Sequence, residues 1–474
     1  MPLPARPKTY SDLTLSEKIA VILHSDRLIN AIVLLAIIVG FFHGWLKVTI
    51  PHPVTTFLFD GLLGLALALV YAKRRAPGAP FFLRTRVAKA LLGFYLLCFA
   101  YMFMPGGPPL LLSFAAFRGW CFASLMYLLG YHLTHSISQV KGYFYVLVLL
   151  GVITAVYGIQ QSPAEIQRRA REDALYAERY KYIYYATSKG KLELRRFSTF
   201  VSSGAFGGVM AFVSVFAIVL LTDRSEKKTE RNLLALSLLP MMSGLVLSGA
   251  RSALFMLGAG FATIAWYRRR LQTFIVLPAL LIFALNYGMK QTRGSASERY
   301  ETLLDKETVL SRMLFPTRIG WDAMKENPLG GGLGKSGYSI PFFLTGKIAY
   351  KGFHTADGDL GCLMIEMGVL GLIFFGRVLW AALKTIYDIL IRLRHTQVAT
   401  VALACAACMI IAIVVFPTGS PFLGIPTGAL TWFFLGTLQK LSDGFQEPAT
   451  ESAPAVSSSA PQKRFLYYKP KSRA

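Results

Sequence analysis

Acidic residues are scarce in this chain. In 474 residues, 25 Asp and Glu stand against 50 Lys and Arg, and charged residues of both signs make up only 16%. A soluble domain of this length carries about 25% charged residues, so the polar surface of an ordinary globular protein is missing. Cysteine is also sparse, with Cys98, Cys121, Cys362, Cys405 and Cys408 falling mostly inside apolar runs. Cys405 and Cys408 form a CxxC, but within VALACAACMIIAIVV two small thiols read as helix-packing residues rather than a redox pair. There is no HExxH and no carboxylate cluster at metal-binding spacing, which leaves a metal-dependent mechanism without support in the sequence. Strict apolar–polar alternation is absent as well, which excludes a transmembrane β-barrel.

What is present is apolar and continuous. Hydrophobic residues make up 54% of the chain and mean hydropathy is +0.48. Backbone groups in lipid must find partners within their own segment, so runs of this kind span a membrane as helices. The sequence predicts about twelve spans, at roughly 28–47, 55–72, 88–104, 111–132, 143–161, 203–221, 232–249, 251–267, 271–288, 360–381, 398–416 and 426–440. Basic clusters at Lys73–Arg86, Arg224–Arg231, Arg268–Arg270 and Lys384–Arg394 all follow even-numbered spans. The positive-inside rule puts these short links and both termini in the cytoplasm. The polar stretch to His24 before a first run long enough to span gives the expectation of no cleavable signal peptide. The net charge of +25 then reads as membrane-flanking charge at anionic headgroups rather than a nucleic-acid surface.

The expected organisation is a polytopic membrane domain over 1–440 and a disordered, basic cytoplasmic tail over 441–474. Two long links break the pattern of short ones, 162–202 and 289–358, the second between spans nine and ten. Both fall on the non-cytoplasmic side, and loops of this length in a compact bundle are usually functional. No repeat of the transporter kind is visible.

Four residues on that side are candidates for chemistry. Arg196 stands in LRRFSTFVSSGAFGG where the chain re-enters the membrane, and Arg251 in the tight turn LVLSGARSALFM. Arg318 stands in FPTRIGWDAMKENPLGGGLG, and His354 in KGFHTADGDLGCLMIEMGVLG just before span ten. Arginine suits phosphate because its planar fork donates paired hydrogen bonds and stays charged. Histidine, titrating near ~6.5, suits proton abstraction. Each also has an ordinary role: an interfacial arginine as a snorkelling anchor, Arg318 as an i,i+4 partner of Asp322, and His354 as a satisfied polar residue. GGGLGKS is not a phosphate-cradling P-loop, since its first glycine position is Leu329. Arg118 and Asp60 are embedded charges for which a structural role weighs at least as much as a functional one.

In order and spacing, the fragments VYGIQQ, RRFSTFVSSGAFGG, SGARSA, RIGWDAMKENPLGGGLG and HTADGDLGCLMIEMGVLG resemble the O-antigen ligase and polymerase superfamily, over roughly 143–380. These are bacterial inner-membrane enzymes acting on polyprenyl-linked glycans. Thr355 departs from the asparagine often found after the family's histidine, and the interval from Arg318 to His354 is short. The resemblance implies a GT-C-like helical bundle and a metal-independent inverting glycosyltransferase that needs no cofactor, with its site facing the periplasm. Arg251 and Arg318 would then hold the pyrophosphate of an undecaprenyl-pyrophosphate-linked glycan donor. His354 would take a proton from a glycan or lipid A-core acceptor. Arg196, Asp357 and Glu366 are implied as substrate-binding or supporting residues. A transporter or flippase of lipid-linked glycans is the rival expectation, and would place charge at mid-depth in several spans.

Overall fold

In a computed structural model of the full chain, the described residues are 26–50, 53–73, 84–172, 184–186, 192–223, 227–269, 278–279, 282–283, 286, 317–336 and 358–443. Their regular structure is helical apart from one short antiparallel hairpin of β1 (Tyr184–Ala186) and β2 (Leu192–Leu194). The helices are α1 (Asp26–Phe41), α2 (His43–Thr49), α3 (Pro53–Lys73), α4 (Arg86–Met102), α5 (Leu110–Leu133), α6 (Ile137–Gln160) and α7 (Pro163–Glu172). They continue with α8 (Ser203–Leu221), α9 (Lys228–Leu247), α10 (Arg251–Arg268), α11 (Asp359–Arg392), α12 (Ala399–Val415) and α13 (Thr427–Asp443). Helices therefore occupy eleven of the twelve apolar segments read from the sequence, and the ninth, 271–288, lies largely outside the described residues. So do the tail beyond 443 and most of the 289–358 link.

Four of these helices, α5, α6, α8 and α11, are each long and apolar enough to cross a membrane. A fifth candidate is the pair α1–α2, which bends by 71° at Phe42. The protein is thus an all-α, membrane-embedded chain. The two ends of the bundle differ as alternating helices require. At one end Lys141 pairs with Asp223 at 2.9 Å, Arg86 with Asp388 at 2.9 Å, and Arg268 donates to Thr222 and Thr400. All of these residues belong to the side that the sequence assigns to the cytoplasm. The other end gathers the polar and glycine-rich links.

Packing is by aromatic clusters and by small residues that let backbones touch. Phe144, Phe216 and Phe434 interlock with centroids 4.6–5.2 Å apart. Gly130 and Gly436 bring α5 and α13 into backbone contact, since a Cβ on either would run into the carbonyl of Phe433 or Tyr127. Without a hydrophobic force between helices in lipid, such close approach supplies much of the association energy.

Candidate functional site

The links at the second end are sewn together by backbone hydrogen bonds. The segment Arg195–Phe200 runs along the turn between α9 and α10, with Arg196 N–H donating to Leu247 O at 3.0 Å and Arg195 Nε to Ser248 O at 3.3 Å. Gly249 takes φ +60 at the turn, which suits a residue without Cβ, and Arg251 begins α10 immediately after it. Gly207 of α8 packs onto the same turn, against Ser248 and Ala250. Arg196 and Arg251, 55 positions apart in the sequence numbering of the chain, therefore belong to one stitched junction.

The motif around Arg318 splits into a helical segment, 317–326, and a glycine loop, 328–336. Arg318 is largely exposed on that helix, its side chain 79% accessible, and Asp322 sits 3.8 Å away. An exposed pair at that distance contributes little to stability, so it leaves the guanidinium available. Gly320 faces Gly361 and Met364, which seats the segment on the first turns of α11.

The glycine loop is locked into a break in α11. Gly368 adopts φ 54, ψ −142, interrupting the helix, and the exposed backbone groups are taken over by the loop. Gly331 N–H donates to Ile365 O at 2.8 Å, Gly332 N–H to Glu366 O at 3.0 Å, and Val369 N–H to Pro328 O at 2.9 Å. Alternate glycines 330, 332 and 334 all take positive φ, so these three glycines are a conformational requirement of the lock. Tyr101 Oη donates to Leu329 O at 2.7 Å and Ser113 Oγ to Leu333 O at 3.1 Å, tying α4 and α5 to the same loop.

Glu366 closes the lock. It is buried, accepting from Trp120 Nε1 at 2.9 Å and from Ser336 Oγ at 2.5 Å, with the backbone N–H groups of Gly334 and Ser336 also directed at its carboxylate. No cation pairs with it among the described residues. Four hydrogen bonds take that place, which makes it a fastener of the loop in this structure.

His354 and Asp357, which the sequence puts on the same side as Arg318, both lie outside the described residues. The start of α11 that follows them is well fixed. Buried Asp359 accepts from Phe422 N–H at 2.7 Å and Leu423 N–H at 3.3 Å, and its own N–H donates to Gly419 O at 2.9 Å. The resemblance pointed to Asp357 and passed over Asp359, whose burial is set by the distant turn at 416–425, which no local pattern announces.

That turn also walls a cavity of about 330 Å³ at the same end of the bundle. Its lining includes His43 and Lys47 of α2, Arg118 of α5, Ser202 and Gly204 at the start of α8, Ser252 beside Arg251, and Thr418–Ser420. The larger groove between α6 and α9 is almost wholly apolar. Arg118 contacts Asp60 at 3.0 Å with both side chains mostly covered, and its guanidinium lies 5.7 Å from the Phe57 ring centroid. Sequence reading noticed this pair but not Lys47, whose single charge sits at the end of an apolar run.

Comparison with models of known protein families finds no match, and comparison with curated proteins finds none either.

Proposed function

We propose that the chain is a membrane glycosyltransferase that moves or polymerises undecaprenyl-pyrophosphate-linked oligosaccharide units on the outer face of a bacterial inner membrane. The observation that carries this reading is the convergence at one end of the bundle. Residues next to the Arg196–Arg251 junction and the 416–425 turn border one cavity, and that turn and the segment bearing exposed Arg318 both pack on the start of α11. His354 and Asp357 precede that helix start in the sequence by five and two positions.

The chemistry fits the residue types. Attack on an anomeric carbon expels a lipid pyrophosphate, and fixed guanidinium groups stabilise the charge that develops on it. In this reading Arg251 and Arg318 hold the pyrophosphate, His354 accepts the proton of the attacking hydroxyl, and Arg196 supports the donor at the junction. Asp357 orients the acceptor side. Glu366 acts from behind, by holding the glycine loop that carries the Arg318 segment.

The decisive assay is release of polyprenyl pyrophosphate from a lipid-linked glycan by the purified protein in micelles, where no gradient exists. The expected result is release with the native chain and a loss of about 10²-fold or more in Arg318→Ala and His354→Ala. Transport without release, or release indifferent to both substitutions at normal protein levels, would refute the reading.

A further inference from the structure

The re-entry segment that carries Arg196 is mounted on the last turns of α6. Thr154, Gly158 and Gln161 follow one another at helical spacing and share a face there. Ser198 Oγ donates to Thr154 O at 2.5 Å, and a Cβ on Gly158 would stand 3.0 Å from Ser198 Cβ, so a glycine at that point lets the segment lie close. Gln161 makes the firmest hold. Its Oε1 accepts from Ser198 N–H at 2.8 Å and from Phe197 N–H at 3.3 Å, and its Nε2 donates to Ser198 O at 3.0 Å. One side-chain amide thus satisfies both the N–H and the C=O of Ser198, as a neighbouring peptide group would. Gln161 and Ser198 are both buried, so loss of these bonds would strand backbone groups away from water.

The backbone held in this way is strained. Ser198 takes φ +54, and among the described residues only one other non-glycine, Arg269, has a positive φ. The left-handed region crowds the Cβ of serine, so the conformation persists only where the surroundings impose it. Here three parts of the bundle do so. Besides α6, the bend between α1 and α2 takes hold at Thr199: its Oγ1 donates to Phe41 O at 2.6 Å, and its carbonyl accepts from Trp45 N–H at 2.9 Å. On the α9 side, Arg196 N–H is fastened to Leu247 O. A plain link needs neither the strain nor three mounts, and strain of this kind collects where a chain positions groups for a ligand.

We infer that Gln161 is a positioning residue for Arg196. Its amide holds Ser198 in the left-handed conformation and so sets where the arginine leaves the backbone, at the junction with Arg251. The inference rests on the reading of Arg196 as a support for the lipid-linked donor; the hold of Gln161 on Ser198 is measurable without it.

The test uses the full-length protein in micelles. Gln161→Met keeps the size of the side chain and removes all three bonds. Amide exchange over 196–200 is expected to rise about tenfold or more. Release of polyprenyl pyrophosphate from a lipid-linked glycan is expected to fall about tenfold or more, since small displacements of a positioned group have effects of that size. Adding Ser198→Gly, which reaches positive φ without steric cost, should recover release by about threefold. Arg196→Ala alone should also lower release, and Gln161→Met on top of it should lower it by less than about threefold further, because both act through one guanidinium. Losses that multiply would show that Gln161 does not act through Arg196. Unchanged exchange over 196–200 would show that its amide does not hold the segment. Either result overturns the inference, and so does a Gln161→Met chain that fails to fold and is not recovered by Ser198→Gly, which makes Gln161 a structural residue. If the native chain releases no polyprenyl pyrophosphate while Gln161→Met still speeds exchange, the glycosyl-transfer reading fails and the hold on Ser198 stands.

Discussion

Gly368→Ala tests whether the glycine loop is held by the break in α11. The native residue sits at φ 54, ψ −142, a region essentially reserved for glycine, and a non-glycine residue in such a region costs about 1–3 kcal/mol. The added methyl would also run into the carbonyl of Pro328 and stand 2.7 Å from Gly330 N, so the loop must withdraw. Withdrawal gives up the bonds from Gly331, Gly332 and Val369. A healed helix recovers part of them internally, for a net loss of roughly 1 kcal/mol. Together the loop is loosened by about 2–4 kcal/mol, which at 1.4 kcal/mol per decade means amide exchange roughly 30- to 700-fold faster at Gly331 and Gly332. Hydrogen exchange with mass spectrometry on peptides covering 328–336 reads this directly. Gly376→Ala in the same helix is the control, because nothing lies within 4 Å of its added Cβ. Unchanged exchange over 328–336 in Gly368→Ala, or an equal change in the control, would show that the break does not hold the loop.

Three further outcomes are expected. Glu366→Gln keeps the shape but turns one acceptor into a donor facing Trp120 or Ser336, which costs about 1–3 kcal/mol of loop docking; a double-mutant cycle with Trp120→Phe should show coupling, and additive effects would refute the bond's importance. Gly436→Ala drives a methyl into the Tyr127 carbonyl and parts α5 from α13, costing about 1–3 kcal/mol. It should lower the melting temperature in micelles, and an unchanged midpoint would refute the contact. Arg318→Ala, on an exposed side chain, should leave stability within about 0.5 kcal/mol while glycan transfer collapses; a parallel loss of both would mean that Arg318 is a structural residue.

The helix positions were legible because apolar runs and basic links carry independent information. A run such as 203–221 announces a buried helix, and Lys141, Asp223 and Arg268 then meet at one end as the charge pattern requires. Direction within a run was not legible. Hydropathy reads 28–47 as one span, yet the chain turns by 71° at Phe42, and it reads 360–381 as unbroken although Gly368 interrupts it. Composition at those points stays apolar, while the cause lies in contacts with 199–201 and 328–332 far along the chain.

The sequence put Arg196 and Arg251 on one side because each flanks a short re-entrant motif, but not the backbone bond from Arg196 N–H to Leu247 O that stitches their links together. Glu366 was visible as a candidate, but sequence could not say that its carboxylate would be spent on Trp120 and Ser336. Lys47 was hidden for a plainer reason: it ends an apolar stretch, and only the folded bundle sets it around one space with Arg118.

The lock on α11 has a consequence for how this protein can diversify. Ser336 is clamped through Glu366, and Gly358 lies against the backbone of Pro417 and Gly419 at the start of the same helix. The residues that make these clamps, Ser336, Glu366 and Gly358, are therefore the ones least free to vary, since a change in any of them unfastens a link from α11 or from the 416–425 turn.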